Sequence, residues 1–240
     1  MINLIPALDQ TTRNQVYAVR HEVYCEEQRF EPLRADRREL DKYDRHSLHC
    51  LARIANDRTP VGCIRLVLPC PEAPEEPLPF ESICQLRLDR SSAQLGRRRR
   101  HRIAEISRFA IRREYRRRAS ERYNILFNGK RPKGFPRCSD IPTALYLGSI
   151  ALAESQGIDT LFFLSEPHLP RFFSRLGSAI TPIGNPVQHH GLRIPSSLDV
   201  RHFLASMNPA FSPIWQAIRN EIRSHMPISA HGWHERLAAA

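Results

Sequence analysis

The stretch "RIAEISRFAI", residues 102–111, carries Glu105, Ser107 and Arg108 among apolar neighbours. A carboxylate in such surroundings loses hydration, and its pKa rises toward the range where it can accept a proton near neutrality. A guanidinium three residues on orients that carboxylate or anchors a second one, because its planar fork does both. Glu105, Arg108 and the Ser107 hydroxyl are therefore the candidate catalytic group, suited to general acid–base work. The plain alternative is a structural ion pair, which is costly to bury. Geometry sets a condition. In a regular strand residues 105 and 107 share one face and 108 points to the other. Joint action requires a β-bulge between them, or two roles on two faces.

Other residues fit a binding site. Asp41 and Asp44 in "DKYD" form a carboxylate pair that suits a substrate ammonium, or else caps a loop. Arg65 stands among Ile64, Leu66, Val67 and Leu68, so it reads as a buried guanidinium in need of a partner rather than a charge at a strand edge. Arg20 ends a helical stretch, where the helix dipole favours a cation. His189, His190, His231 and His234 have no Cys or carboxylate neighbours at metal-ligand spacing, so no metal site is expected. The six cysteines are scattered without a CxxC pair, and no Cys–His nucleophile is legible. "MINLIPALDQTTR" lacks the basic start and apolar run of an export signal. Reduced thiols and a cytoplasmic location are expected.

The charge is local. Lys and Arg number 36 against 25 acids, a net of +11. Residues 97–118 hold eleven arginines and two acids, a net of +9. A field so concentrated attracts nucleic acid, membrane headgroups or an acidic protein, unless it is only a solvated face. No helix-turn-helix, zinc finger or aromatic–basic motif supports nucleic acid. No apolar run approaches the roughly 20 residues of a membrane span.

These residues need elements to hold them. Residues 12–28 read as a helix with a Thr12/Gln15 capping box. The polar stretch from Phe30 to Ser47 reads as a loop. Residues 48–68 read as a β-hairpin around "TP". The proline-rich "PCPEAPEEPLPF" (69–80) reads as a flap, since it is unsuited to regular structure. "IAEISRFAI" is a third strand, and 116–139 reads as loop. "IPTALYLGSIALAESQG" is a helix stopped by Gly157, "DTLFFLSEP" a buried strand and "HLPRFFSRLG" a short helix. "ITPIG", "VQHHGLRIP" and "DVRHFLAS" read as strands or extended pieces, and "SPIWQAIRNEIRSH" as a late amphipathic helix. The pattern predicts one α/β domain over 1–240, a mixed central sheet with helices on both faces. Its core is expected at about 12–204, with 205–240 as a C-terminal helical extension.

Five segments in this order, "VRHEVYCEEQRFE", "ELDKYDRHSLH", "GCIRLVLP", "AEISRFAI" and "EPHLPRFFSRLG" with "HHGLRIP", resemble GNAT-fold acyltransferases. The resemblance is to the acyl-homoserine lactone synthase branch, and more to the N-acyl amino acid synthases and the acyltransferases associated with PEP-CTERM/exosortase systems. It implies that Arg20 and Phe30 order an N-terminal cap over the site. It also implies that Asp41 and Asp44 lie near the amine-bearing substrate, that Arg65 sits on a central strand, and that Glu105 and Arg108 line the acyl-transfer site on a bulged strand. The synthases carry a tryptophan soon after the position of Phe30. Here the only tryptophans are Trp215 and Trp233, which favours the amino-acid branch over a lactone product.

The resemblance further implies a transfer of a fatty acyl group to the amine of an amino acid or related small molecule. A thioester donor needs no enzyme nucleophile, so Glu105 serves as base and backbone N–H groups hold the oxyanion. Many GNAT enzymes cradle coenzyme A on a glycine-containing loop after this strand. "RREYRRRASERYN" has no glycine. Acyl carrier protein is therefore the expected donor, with coenzyme A second and no tightly bound cofactor. Its acidic face would dock on Arg97, Arg98, Arg99, Arg100, Arg116, Arg117 and Arg118. The rivals are a lactone synthase and a nucleic-acid-binding protein that uses the arginines.

Overall fold

The computed structural model describes residues 2–84, 100–118 and 140–226 apart from 168, 175 and 178. Its frame is a mixed sheet in the order β1-β2-β3-β4-β5-β8-β6, with β7 paired to β8. The strands are β1 (Ile2–Pro6), β2 (Ser47–Ile54), β3 (Pro60–Val67), β4 (Ile103–Ile111), β5 (Thr160–Ser165), β6 (Thr181–Pro182), β7 (Val187–Gln188) and β8 (Leu192–Asp199). Neighbours from β1 to β4 are antiparallel, β4 and β5 are parallel, and β5 and β8 are antiparallel. A parallel pair needs a crossover. The helix Asp140–Ser155 lies between β4 and β5 in sequence.

Helices cover both faces. On one side α1 (Gln10–Arg20) sets Val16, Tyr17 and Val19 against Leu51, Cys63 and Ala110 of the sheet. On the other side Asp140–Ser155 carries Ile141, Leu145, Leu147, Ile150 and Leu152 into the core. A helix apolar all round must be buried all round. It lies between the sheet and Ser212–His225, whose Ile214, Trp215, Ile218 and Ile222 are buried in the same core. A Cβ at Gly148 would sit 3.1 Å from Cys50 Sγ and 3.2 Å from Leu4 Cδ1, so glycine lets this helix lie close on the sheet. Gly157, at φ +67, ends it, with Gly157 N–H donating to Glu154 O and Ile158 N–H to Ala153 O. That is the Schellman pattern, in which a left-handed residue satisfies the last carbonyls.

Several elements differ from the sequence reading. The first helix starts at Gln10 with Asp9 as its cap, which accepts from the Thr12 backbone and hydroxyl. Thr12 is thus held by the cap and does not supply it. The helix gives way to a π-helical turn, His21–Glu27. Ile2–Pro6 is a strand paired with β2. Val200–Ser206 is a helix, because Asp199 accepts from His202 N and caps it. Pro79–Cys84 and Arg113–Arg118 are short helices that overlap the end of the stretch read as a flap, 69–80, and the start of the one read as a loop, 116–139; the rest of the loop, 119–139, lies outside the described residues. Among the described residues no helix is long and apolar enough to cross a membrane. Cys25, Cys50, Cys63 and Cys70 are free and buried, and Cys84 is buried.

Candidate active site

The site begins with an irregularity in β4. Cys63 and Arg65 of β3 pair with Ala110 and Ser107, so Ile64 alone faces both Arg108 and Phe109. This is a β-bulge, and Arg108 takes φ 49, a left-handed conformation that is strained for a side-chain-bearing residue. The bulge re-aims the strand. Glu105, Ser107 and Arg108, which a regular strand would divide between two faces, all line one cavity of about 510 Å³.

A second irregularity opens that cavity. The β4–β5 ladder runs only from Ile103↔Thr160 to Glu105↔Phe162. Beyond it the strands part, and residues 106–109 and 163–165 form opposite walls. Its lining combines polar side chains, among them Arg65, Glu105, Ser107, Arg108, His189 and His190, with apolar ones, among them Ile106, Tyr146, Phe163 and Phe173.

Arg20, Arg65 and Arg108 meet the acids of the segment before β2. Arg20, fully buried, grips Asp44 with both Nη atoms at 2.6 and 3.0 Å and gives Nε to Glu39 at 2.5 Å. Arg65, 1% exposed, reaches Asp41 at 2.7 Å, Asp44 at 3.0 Å and the Ser107 hydroxyl at 3.0 Å. Arg108 holds Glu39 at 3.1–3.2 Å, and Glu31 and Asp41 at 3.2 Å. Its guanidinium also lies 5.5 Å from the Tyr24 ring centroid. Asp41 and Asp44 form a capping box on the short 3₁₀ turn Lys42–His46. Burial raises the pKa of Glu39, Asp41 and Asp44, but the facing guanidiniums outweigh it and hold all three low. His49 lies 3.5 Å from Asp44 Oδ1, yet burial pushes it down to about 3, so the imidazole is neutral.

Glu105 is in a different setting. It is 3% exposed, and Oε2 accepts from the Phe80 backbone N–H at 2.7 Å. Burial raises its pKa to about 8; the Phe80 N–H and Arg65 oppose this only in part. Glu105 and Arg108 therefore share a cavity, but Arg108 hydrogen-bonds the cap acids, and no Glu105–Arg108 ion pair is formed.

The remaining sequence candidates separate clearly. Phe30 lines the cavity and stacks on His190 at 4.7 Å. Asp44 is enclosed by two guanidiniums rather than open to a substrate ammonium. Arg20 is a buried ion-pair partner and not a dipole-facing surface charge. Arg97, Arg98 and Arg99 lie outside the described residues. Arg100 departs from the docking expectation: it is 7% exposed and pairs with Glu81 at 2.6 Å, so it is no part of an outer face. Arg116 pairs with Glu27; Arg117 and Arg118 lie in the short helix, and their side chains are outside the described residues. Arg102, Arg108 and Arg112 pair with Asp159, Glu39 and Glu22. The glycine-free start of that helix already has a carboxylate on it, since Arg113 N–H donates to Glu27 at 3.1 Å. Among the described residues no group of three His, Cys, Asp or Glu is placed to hold a metal.

Sequence reasoning missed Glu31, Glu39 and Ser165. Three arginines headed for the core demand carboxylates, and that requirement pointed to the acids of the polar loop. Ser165 is 5% exposed, lines the cavity, and its hydroxyl is unpartnered among the described residues. Nothing in the sequence pattern marked it.

Residues 19–125 match the acetyltransferase (GNAT) domain family. With the mixed sheet, the bulged β4 and the cleft between β4 and β5, this match defines the class: residues 19–125 are similar to an acetyltransferase (GNAT) domain, and the chain has the GNAT fold. Solved structures agree on the fold. TofI, in a ternary complex with an inhibitor and MTA, is similar with TM-score 0.61 at 20% identity, covering 87% of this chain and 98% of its own. BjaI, a CoA-dependent acyl-homoserine lactone synthase solved with MTA, gives 0.59 at 20% identity, covering 100% and 99%. The AHL synthase LasI gives 0.53 at 17% identity, covering 83% and 89%. No curated protein sequence matches the chain.

Proposed function

We propose that the protein transfers a fatty acyl group from a phosphopantetheine thioester to the amine of an amino acid or related small molecule. The observation that carries this is a buried carboxylate, Glu105, where β4 and β5 part, in a cavity lined by both polar and apolar side chains. Its apolar lining, with Ile106, Tyr146, Phe163 and Phe173, suits an acyl chain. The acceptor ammonium gives its proton to Glu105, directly or through water. The amine nitrogen then bonds to the thioester carbonyl carbon, and an oxyanion forms. Backbone N–H groups at the parted strands and the Ser165 hydroxyl are the donors available to it. Collapse breaks the C–S bond; the extra proton on the nitrogen passes to the departing thiolate, directly or through water, which leaves a neutral amide and a free thiol, and Glu105 then releases its proton to solvent. Arg65 and Arg108, held by the cap acids, keep Ser107 and the bulge in place.

For the donor we put acyl-CoA first and acyl carrier protein second, the reverse of the sequence expectation. BjaI and MesI are described as CoA-dependent. The arginines that favoured a carrier protein, and the nucleic-acid rival with it, are largely ion-paired to the protein's own acids where they are described. The second reading is an acyl-homoserine lactone synthase, favoured by the likeness in fold to BjaI and LasI. The missing tryptophan after Phe30 supports the linear product. A cytoplasmic location and a role beside an exosortase system belong to the same proposal; the latter rests on the family resemblance and is tested by the genes that flank this one.

The test is mass spectrometry of products from the purified protein with long-chain acyl-CoA, mixed amino acids and S-adenosylmethionine. The expected product is a linear N-acyl amino acid. An acyl-homoserine lactone would select the second reading. No acylated amine, with either acyl-CoA or acyl carrier protein as donor, would overturn both.

A further inference from the structure

Arg100 ends the run Arg97–Arg100 and opens the 3₁₀ turn Arg100–Arg102 that leads into β4. Among the described residues its guanidinium bonds to one segment. Nη1 meets Glu81 Oε2 at 2.6 Å, Nε donates to Pro74 O at 2.9 Å, and Nη2 donates to Glu76 O. The segment is the proline-rich stretch around 71–81. Its prolines lack N–H groups and cannot join a ladder, so its carbonyls need donors from elsewhere. Glu81 Oε2 also accepts from Leu78 N–H at 2.8 Å, which ties the strap to the first turn of Pro79–Cys84.

The other end of the strap lies on the candidate base. Leu78 and Phe80 are 1% and 2% exposed, and the Phe80 ring stacks on Phe162 of β5 at 4.6 Å. The Phe80 N–H is the donor to Glu105 at 2.7 Å. Pro79 and Ile83 line the cavity. One continuous path thus runs from Arg100 through the strap to Glu105.

We infer that Arg100 is a positioning residue: it pins the strap across Glu105, so that the Phe80 N–H fixes the carboxylate and Leu78 and Phe80 keep water from it. This rests on the reading of Glu105 as the base. An arginine that looked like part of a docking face would instead set the proton affinity of the reacting carboxylate from a distance. The charged groups facing Glu105 are Arg65 on β3, Arg108 on β4 and Glu81 on the strap helix. Only Glu81 belongs to the strap, so releasing it chiefly admits water, and the raised pKa of Glu105 falls.

The experiment is a ¹³C NMR titration of Glu-labelled full-length protein, with the Glu105 signal assigned by its loss in Glu105→Gln. In Arg100→Gln the Glu105 titration should move toward lower pH by about one unit or more, and Arg100→Lys should move it less. Arg102→Gln, which breaks a different ion pair on the same turn, should leave it in place. A merely structural pin predicts a lower unfolding temperature with an unmoved titration, and that result overturns the inference. If Arg100→Gln does not fold, Arg100→Lys, which keeps the charge and loses the fork that spans Pro74, Glu76 and Glu81, carries the test, and an unmoved titration there overturns it equally. Failure of the base reading shows separately, as transfer activity surviving in Glu105→Gln.

Discussion

Glu105 and Asp44 are both buried carboxylates, at 3% and 8% exposure, near one cavity, yet their proton affinities diverge. Asp44 lies against Arg20 and Arg65, and two guanidiniums more than offset its loss of water. Among the described residues Glu105 has one backbone N–H and no cation in hydrogen-bond contact, so burial prevails and its pKa rises to about 8. The difference separates scaffold from chemistry. A carboxylate locked in its charged form holds the cap; one held near its titration point has the proton affinity that the proposed base requires.

The largest effect that would break this comparison is on stability at Asp44. Asp44→Asn leaves two buried guanidiniums underpaired and should cost ~3–5 kcal/mol in urea unfolding at neutral pH. An unchanged midpoint would mean the network is ornamental. The pH dependence follows from the low folded pKa. The contribution of Asp44 is present above its unfolded value near 3.8 and is lost as pH falls through the folded one.

Glu105 should show the opposite sign. Its folded pKa is raised, so its contribution is complete below about 4.5 and is lost as pH rises through about 8. Glu105→Gln removes that dependence and should unfold with a stability gain on the order of 3 kcal/mol over the parent at pH 9. Parallel stability curves for the two proteins from pH 5 to 9 would contradict the raised pKa.

The smallest effect concerns the bulge. Arg108 occupies a left-handed conformation at φ 49. Arg108→Ala and Arg108→Gly both lose the guanidinium, and only alanine retains the backbone strain. Glycine should therefore be the more stable of the two by ~1 kcal/mol in thermal or urea unfolding. Equal stability would argue that the bulge does not depend on that residue's conformation.

Much of the frame was legible where one-dimensional signals are strong. The β2–β3 hairpin, β4, the buried helix with its Gly157 stop, and β5 all follow from apolar runs and punctuation. Misreadings fell where a neighbour decides. Asp9 outcompeted Thr12 for the cap, Asp199 turned an extended-looking segment into a helix, and Ile2–Pro6 became a strand only through its pairing with β2. In the site, Glu105 and Arg65 stood out because a charge among apolar residues is conspicuous. Glu39 did not, since its burial comes from arginines distant in sequence. The bulge leaves no trace in periodicity and was expected only through the family resemblance. Arg100 shows the reverse error: a residue in a charged run looked solvated, whereas the structure uses it as a buried pin.

The central claim is that Glu105 accepts the proton of the acceptor amine. It is tested most directly by the pH dependence of acyl transfer in the parent and in Glu105→Gln, with whichever thioester and amine the product assay identifies. The parent rate should climb with pH through a limb near 8, the value burial gives this carboxyl. The variant, folded by circular dichroism, should be slower by about 10²–10⁴-fold and lack that limb. A folded variant with near-parental turnover and the same limb would contradict the account.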